Sequence, residues 1–201
     1  MAKILRRKIM SIFDSIKSKA GTAINKAVAA AGNKNYTVVL NTLPMSVEEL
    51  KAMPQGSLKN PEDTAALVIA ALAVYPAAPD ASIAMINYMR NGRDLIGSDL
   101  QFVKERGVSH NNAVIACFKG ATPENNYTPT EPATIEMMEN AYSREQIKDG
   151  ILTLYVKCNG ADSHRVITLR QKASTGEWFF WSGIMGLLSQ VKTPKAADPW
   201  A

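Results

Sequence analysis

The chain has 201 residues, of which 46% are hydrophobic and 20% are charged. This composition is typical of a globular protein and excludes a disordered or collagenous one. A chain of this length buries enough apolar surface to fold without a disulfide or a structural metal. Its two cysteines and two histidines lack the short paired spacings of a zinc site, so we expect no metal.

The positive charge is concentrated at the N-terminus. Residues 1–34 contain eight Lys and Arg against one Asp, a net charge of +7, whereas residues 35–201 carry a net charge of −2. Because residues 35–201 have no excess of basic side chains, we expect no nucleic-acid binding by them. The basic start lacks the apolar core of a signal peptide, and no segment is apolar enough to span a membrane. The sequence therefore predicts a bacterial-type cytoplasmic protein, and it leaves peripheral membrane contact open.

Residues 4–31 have the apolar periodicity of an amphipathic helix. Lysines flank the apolar arc, where their long stems can lie beside an anionic bilayer. We predict that this helix binds a protein partner, a second copy of the chain or an anionic membrane surface. The residues expected to make the contact are Ile9, Ile12, Phe13, Ile16, Lys17, Lys19, Ile24 and Lys26.

Two alternatives to this attachment role remain open. In the first alternative, the apolar arc of the helix packs on the rest of the chain, as amphipathic helices do in most soluble proteins. The second arises if translation starts at Met10 instead of Met1, because four cations are then lost and the net charge of the arm falls to +3. Lipid binding then becomes less favoured than self-association or docking on the rest of the chain.

Helix-start signals dominate the next part of the chain. Ser46 with Glu49 three residues on forms a capping box, and Asn60 before Pro61 and two acids is a strong helix start. Residues 36–40 are either a β-strand or an extended connection. The predicted helices cover residues 47–50, 62–74, 79–92 and 100–106.

From residue 112 onward the pattern changes to that of strands. The apolar run over residues 113–118 has strand length, and residues 134–138 form a plausible strand. Three alternating runs separated by short turns then predict an antiparallel meander. These runs cover residues 151–158, 165–171 and 177–181.

The last of these runs contains four consecutive aromatic residues. We expect Trp178 or Phe180 to pack inward. We expect residues 182–188 to cover the aromatic pair on the other face, and the alternative is that this pair forms an exposed partner site. The sequence as a whole predicts an α+β fold. It has an amphipathic helical arm over residues 1–34 and one domain over residues 35–201, with helices first and a mostly antiparallel meander after them.

Candidate catalytic groups are few. The only thiol and imidazole pairs are Cys117 with His110 and Cys158 with His164. The sequence favours buried, reduced thiols and a solvated turn histidine over a catalytic dyad. The carboxylates at helix starts are explained by the backbone N–H groups there, and there is no Gly-rich phosphate loop. We therefore predict no catalytic residue and no cofactor.

Four segments resemble those of a family of small uncharacterised bacterial proteins, described only as a domain of unknown function. They are YTVVLNTLP at residues 36–44, GATPENNYTP at 120–129, STGEWF at 174–179 and the terminal DPWA. The resemblance spans about residues 35–201. It implies a single α+β domain in a bacterial cytoplasm, and it implies no activity, substrate or catalytic residue.

The leading functional hypothesis from the sequence is a non-enzymatic interaction or assembly protein. Its N-terminal helix provides the attachment, and Trp200 in the C-terminal tail either docks back on the body or binds another chain. The alternative is an enzyme with a site between the loop over residues 119–132 and the sheet. A deep pocket of convergent polar groups at that loop favours the enzyme, whereas a flat or filled surface favours interaction.

Overall fold

The computed structural model of the protein describes residues 34–200. The predicted helix over residues 4–31 lies outside the described residues. So do the contact residues expected on it, which are Ile9, Ile12, Phe13, Ile16, Lys17, Lys19, Ile24 and Lys26.

Five strands form one antiparallel sheet in which each strand pairs with the next along the chain. The strands are β1 (Asn35–Leu40), β2 (Ala133–Met138), β3 (Ile151–Val156), β4 (Arg165–Gln171) and β5 (Trp178–Ser182). Residues 36–40 are therefore a strand and not an extended connection. The predicted α+β class with an antiparallel meander is confirmed, with the addition that β1 precedes the helices.

Six α-helices occur in residues 34–200. They are α1 (Val47–Ala52), α2 (Pro61–Ala73), α3 (Pro79–Met89), α4 (Gly97–Arg106), α5 (Asn111–Ile115) and α6 (Ile184–Leu187). Helix α2 is buried from Thr64 to Leu72 because it contacts both the sheet and the helices α3 and α5. Its many alanines let the neighbouring elements approach closely on all sides, so α2 is the central helix of the core.

The core lies between α2 and one face of the sheet. In β3 the side chains of Leu152, Leu154 and Val156 are buried, and they alternate with half-buried residues. This alternation is the period-2 pattern of a strand with one face toward the core. Trp178 and Phe180 of β5 point the same way, as predicted, and Phe180 is completely buried.

The prediction of a strand over residues 113–118 is wrong. The first half of the segment, residues 113–115, forms the end of α5, and only Phe118 reaches the sheet, through an isolated bridge to Ile135. A short apolar run that is buried on all sides has no visible periodicity, so its sequence does not distinguish a strand from a buried helix.

The predicted cover for the outer aromatic pair of β5 is also wrong. Phe179 and Trp181 are half-buried on the outer face of the sheet. Residues 182–188 turn inward, because Ile184, Leu187 and Leu188 are buried in the core. The ring of Trp181 is instead covered by the guanidinium groups of Arg93 and Arg170.

The predicted helix starts are close to the observed ones, but the caps differ in detail. Ser46 Oγ accepts the Glu49 N–H at 3.1 Å, as expected for a capping box. The Glu49 carboxylate accepts the N–H of Met45 at 2.8 Å, one residue before the cap. Asn60 does not cap α2, and its side chain donates to Asp63 at 2.9 Å.

The free edge of β5 is closed by the helical half of the chain. Trp178 donates its N–H to Leu58 O at 2.7 Å, and its carbonyl accepts from Thr64 Oγ1 at 3.0 Å. The Phe180 carbonyl accepts from Arg93 Nη2 at 3.1 Å. These bonds occupy backbone groups that would otherwise pair with a strand of another chain. Among the helices of residues 34–200, none is long and apolar enough to cross a membrane.

Candidate functional site

The loop over residues 119–132 holds its own shape. The side chain of Asn125 donates to the carbonyls of Gly120 and Thr128 at 2.7 and 2.9 Å, and its oxygen accepts the Thr122 N–H at 2.9 Å. Between this loop and the sheet lies a depression of about 180 Å³, and Glu131 is the one ionisable residue in its lining. Most of the lining is apolar, so polar groups do not converge there.

A wider depression, of about 610 Å³, lies between the end of β1 and α1. Glu49 is the ionisable residue in its lining, and its carboxylate already accepts the Met45 N–H. Among the described residues, the lining of neither depression contains a cysteine, a histidine or a lysine. Within residues 34–200 there is also no group of three potential metal-ligating side chains.

The two thiol and imidazole pairs considered from the sequence do not form. His110 Nδ1 lies 2.9 Å from Ser109 Oγ. His164 is exposed and lines a shallow depression on the outer face of the sheet, beside Tyr155 and Lys157. Within residues 34–200, neither imidazole is hydrogen-bonded to a thiol.

The structure instead brings the two cysteines together. Asn159 donates its backbone N–H to Ala116 O at 2.9 Å and its side-chain amide to Phe118 O at 3.0 Å. These two bonds flank Cys117 and place it beside Cys158 in the core. Both cysteines are free and buried.

The two thiols have opposite electrostatic surroundings. Hydrogen bonds from the Cys117 thiol and the Gly160 N–H, with the nearby charge of Arg165, outweigh burial and lower the pKa of Cys158 to about 6. The pKa of Cys117 is raised, because Cys158 holds its proton and the site is apolar. These surroundings favour a thiolate at Cys158 over one at Cys117.

Arg165 supplies a second sign that this site suits an anion. Its Nη2 donates to Ser189 O at 3.1 Å and to Gln190 O at 3.0 Å. Its Nε is buried and has no hydrogen-bond partner in residues 34–200. A buried donor without an acceptor costs about 1–3 kcal/mol, and a thiolate at Cys158 would be an anionic acceptor beside it.

A cationic and aromatic surface lies on the outer face of the sheet, at β4 and β5. The guanidinium carbons of Arg93 and Arg170 lie 3.8 and 4.6 Å from the ring centre of Trp181. Phe179 and Lys172 line the same depression of about 290 Å³. We call Arg93, Arg170, Lys172, Phe179 and Trp181 the arginine–tryptophan patch.

The two arginines that cover Trp181 have no ion-pair partner among the described residues. In residues 34–200 neither Arg93 nor Arg170 forms a salt bridge, whereas the neighbouring Arg90 lies 3.9 Å from Asp99. Partial burial, and then repulsion from Arg90 and Arg170, lower the pKa of Arg93. The guanidinium groups are held over an aromatic ring without a carboxylate of their own.

A third polar cluster joins β1 to β2. Glu139 is 5% exposed and accepts hydrogen bonds from the Tyr36 hydroxyl and from both Nε and Nη2 of Arg144. Burial by itself raises the pKa of Glu139, but the bonds from Arg144 and Tyr36 outweigh it, and the net shift is downward. Donors from Tyr36 and Arg144 engage both oxygens of the carboxylate, so we interpret the cluster as a structural cross-link.

Of the contact residues expected from the sequence, only Trp200 lies in the described part of the chain. Its side chain is 93% exposed, and its N–H donates to Asp198 Oδ1 at 2.9 Å. The ring therefore does not dock on residues 34–200. Its role in binding another chain stays a prediction.

Sequence reasoning missed the thiol pair and the patch. The four aromatic residues of β5 gave one signal, because two of them had to be covered on the outer face. Neither Arg93, from the segment between α3 and α4, nor the contact of Cys117 with Cys158 has a local sequence signal.

Comparison with known proteins gives a family and no activity. No curated protein and no solved structure matches the chain. One family model, described as a domain of unknown function, matches residues 42–195 and so covers the thiol pair and the patch but not β1. The expected membership of an uncharacterised family is confirmed. Since the match covers most of the sequence, the chain belongs to the family of the domain of unknown function DUF6935.

Proposed function

We propose that the chain is a non-enzymatic interaction protein that binds an acidic segment of a partner protein through the arginine–tryptophan patch. The N-terminal amphipathic helix is a second attachment element, which binds a partner, another copy of the chain or an anionic membrane surface. The observation that carries the proposal is the pair of guanidinium groups, on Arg93 and Arg170, that cover one indole ring and have no carboxylate partner among residues 34–200.

The chemistry of the patch favours a carboxylate ligand. A guanidinium that lies over an aromatic ring is oriented by it, and the N–H groups at its edge remain available for a carboxylate. Arg93 is further fixed by its bond to Phe180 O. Arginine and tryptophan are also the residue types that contribute most to binding energy at protein interfaces, because they combine apolar area with directed donors.

The electrostatics point the same way. Arg90 and Arg170 repel the charge of Arg93 and lower its pKa. An acidic side chain placed between the guanidinium groups would relieve this repulsion. Because the patch is open to solvent, its contribution should depend strongly on ionic strength.

The enzyme alternative has less support. The depression beside residues 119–132 is small and mainly apolar, and its one ionisable residue is Glu131. The lining of the patch likewise combines cations, amides and aromatic rings without a general base or a nucleophile. An enzyme site at this loop requires a deep pocket of convergent polar groups, and this small, mainly apolar depression does not match that requirement.

Nuclear magnetic resonance on the full chain tests the patch directly. Labelled indole N–H groups report separately on Trp178, Trp181 and Trp200, and an oligoglutamate peptide serves as the acidic probe. We expect the Trp181 signal to shift saturably while the buried Trp178 stays fixed, and we expect Arg170→Gln to raise the peptide concentration needed for half-saturation. A Trp181 signal that does not respond to the peptide contradicts the proposal.

The attachment role of the N-terminal helix needs its own test. The change Ile12→Ser with Phe13→Ser and Ile16→Ser removes apolar contacts from the predicted arc. The matched control replaces Ser11, Ser15 and Ser18 of the opposite face by Ala. We expect the first variant, and not the control, to lose self-association in sedimentation or binding to phosphatidylserine vesicles. If the unchanged chain shows neither behaviour, this part of the proposal fails.

A further inference from the structure

The strongest feature outside the patch is the contact between Cys117 and Cys158. It joins the end of the helical half to the turn between β3 and β4. Asn159 bonds to the carbonyls on both sides of Cys117, so the backbone at Cys158 and the backbone at Cys117 are held next to each other.

The two cysteines are not equivalent. Cys158 is 7% exposed and lies beside Arg165, whereas Cys117 is 2% exposed and its Sγ lies 3.6 Å from Ala113 O. The buried Arg165 Nε has no acceptor of its own in residues 34–200. Two neighbouring buried cysteines that serve only as apolar packing need neither a nearby cation nor a buried donor without an acceptor.

We propose that Cys117 and Cys158 are a redox-active dithiol that hydrogen peroxide converts into a disulfide, with Cys158 as the attacking sulfur and Arg165 as its positioning residue. This inference is independent of the proposed function, because the pair lies in the interior and the patch lies on the outer face of the sheet.

The reaction balances with one peroxide per chain. The Cys158 thiolate attacks one peroxide oxygen, the O–O bond breaks, and the departing hydroxide takes up a proton, which leaves a sulfenic acid and one water. The sulfur of Cys117 then attacks the Cys158 sulfur, the S–OH bond breaks, and the Cys117 proton leaves with that hydroxyl as a second water. Two electrons pass from the thiols to the peroxide, and one S–S bond forms.

The surroundings of the pair select a small oxidant. The C-terminal segment around Lys192 covers the turn between β3 and β4. The backbone N–H of Lys192 donates to Gly160 O at 2.8 Å, and the carbonyl of Lys192 accepts from the Tyr127 hydroxyl at 2.6 Å. Arg165 holds the same segment through Ser189 and Gln190. A protein disulfide is too large to enter beneath this segment, whereas hydrogen peroxide is close to water in size.

The test measures the thiols of the full chain after reduction, removal of the reductant and exposure to hydrogen peroxide. We expect both titratable thiols to disappear together in a monomer, with a Cys117–Cys158 peptide found by mass spectrometry. We expect Cys117→Ser to stop at a sulfenic acid on Cys158, which dimedone traps. In Cys158→Ser we expect Cys117 to react at least about tenfold more slowly than Cys158 does in Cys117→Ser.

Three further variants separate a positioning role from a structural one. We expect Arg165→Gln to slow peroxide reaction about tenfold and to move its pH midpoint upward, toward that of free cysteine, and Arg165→Lys to restore part of the rate. His164→Gln, in the adjacent exposed residue, is the matched control and should react at the unchanged rate. Circular dichroism verifies that each variant is folded.

Each remaining outcome overturns the inference. Two thiols that persist under peroxide exposure sufficient to oxidise free cysteine would show that the pair is inert packing. A disulfide between two chains would show that the internal contact is not used. Equal reactivity of the two single-cysteine variants would remove the assigned roles of Cys158 and Arg165.

Discussion

Phe180→Ala should destabilise the protein far more than the same change at the adjacent Phe179. Phe180 is completely buried against the sheet and helices, whereas Phe179 is half-buried on the outer face. Removal of a buried phenyl ring withdraws roughly 150 Å² of apolar contact, worth about 4 kcal/mol at ~25 cal/mol per Å². With the cavity that the truncation leaves, we expect Phe180→Ala to lower the free energy of unfolding by about 3–5 kcal/mol.

The matched control removes the same atoms from the other face of the same strand. Since the Phe179 ring keeps much of its contact with water, Phe179→Ala should cost only about 1 kcal/mol. Urea unfolding followed by circular dichroism measures both free energies. A cost below about 1 kcal/mol at Phe180, or equal costs at the two positions, would refute the assigned strand register.

Three other predictions concern buried contacts. Glu139→Gln should lower the free energy of unfolding by urea by about 2 kcal/mol. Because the pKa of Glu139 is lowered in the fold, the free energy of unfolding of the unchanged chain should fall as the pH drops below about 4.5. The same drop in pH should have a smaller effect on the variant. The Cys158 pKa is also lowered in the fold, so stability should rise between pH 6 and the free-cysteine value of about 8.5, and Cys158→Ser should flatten this rise. Gly160→Ala would place a Cβ 2.3 Å from the Tyr127 hydroxyl and should lower the melting temperature, whereas Gly186→Ala, with no atom within 4 Å, should not.

The parts of the fold that the sequence predicts are those with a local signal. The meander follows from alternating strands and short turns, and the helices follow from caps and proline starts. Residues 113–118 lack such a signal, because their environment is apolar on every side. Whether such a segment becomes a helix or a strand then depends on the distant elements that bury it. Here the helix α5 packs against α2.

The two sites depend on contacts between distant segments. Cys117 and Cys158 are separated by 41 positions and meet through the bonds of Asn159, which no spacing rule describes. Arg93 reaches Trp181 from a loop in the helical half. The sequence predicted that the outer aromatic residues needed cover, but it did not identify the side chains that provide it.

The affinity of the full chain for an oligoglutamate peptide tests the central claim most directly, with two variants of equal charge change. Arg93→Gln with Arg170→Gln alters the patch, and Lys17→Gln with Lys19→Gln alters the basic arm. We predict that the patch variant weakens binding about tenfold or more, which corresponds to about 1.4 kcal/mol, and that the arm variant changes it less than about twofold. Equal weakening by both variants, or a larger effect of the arm variant, would contradict the account, because binding would then follow net charge and not the geometry at Trp181.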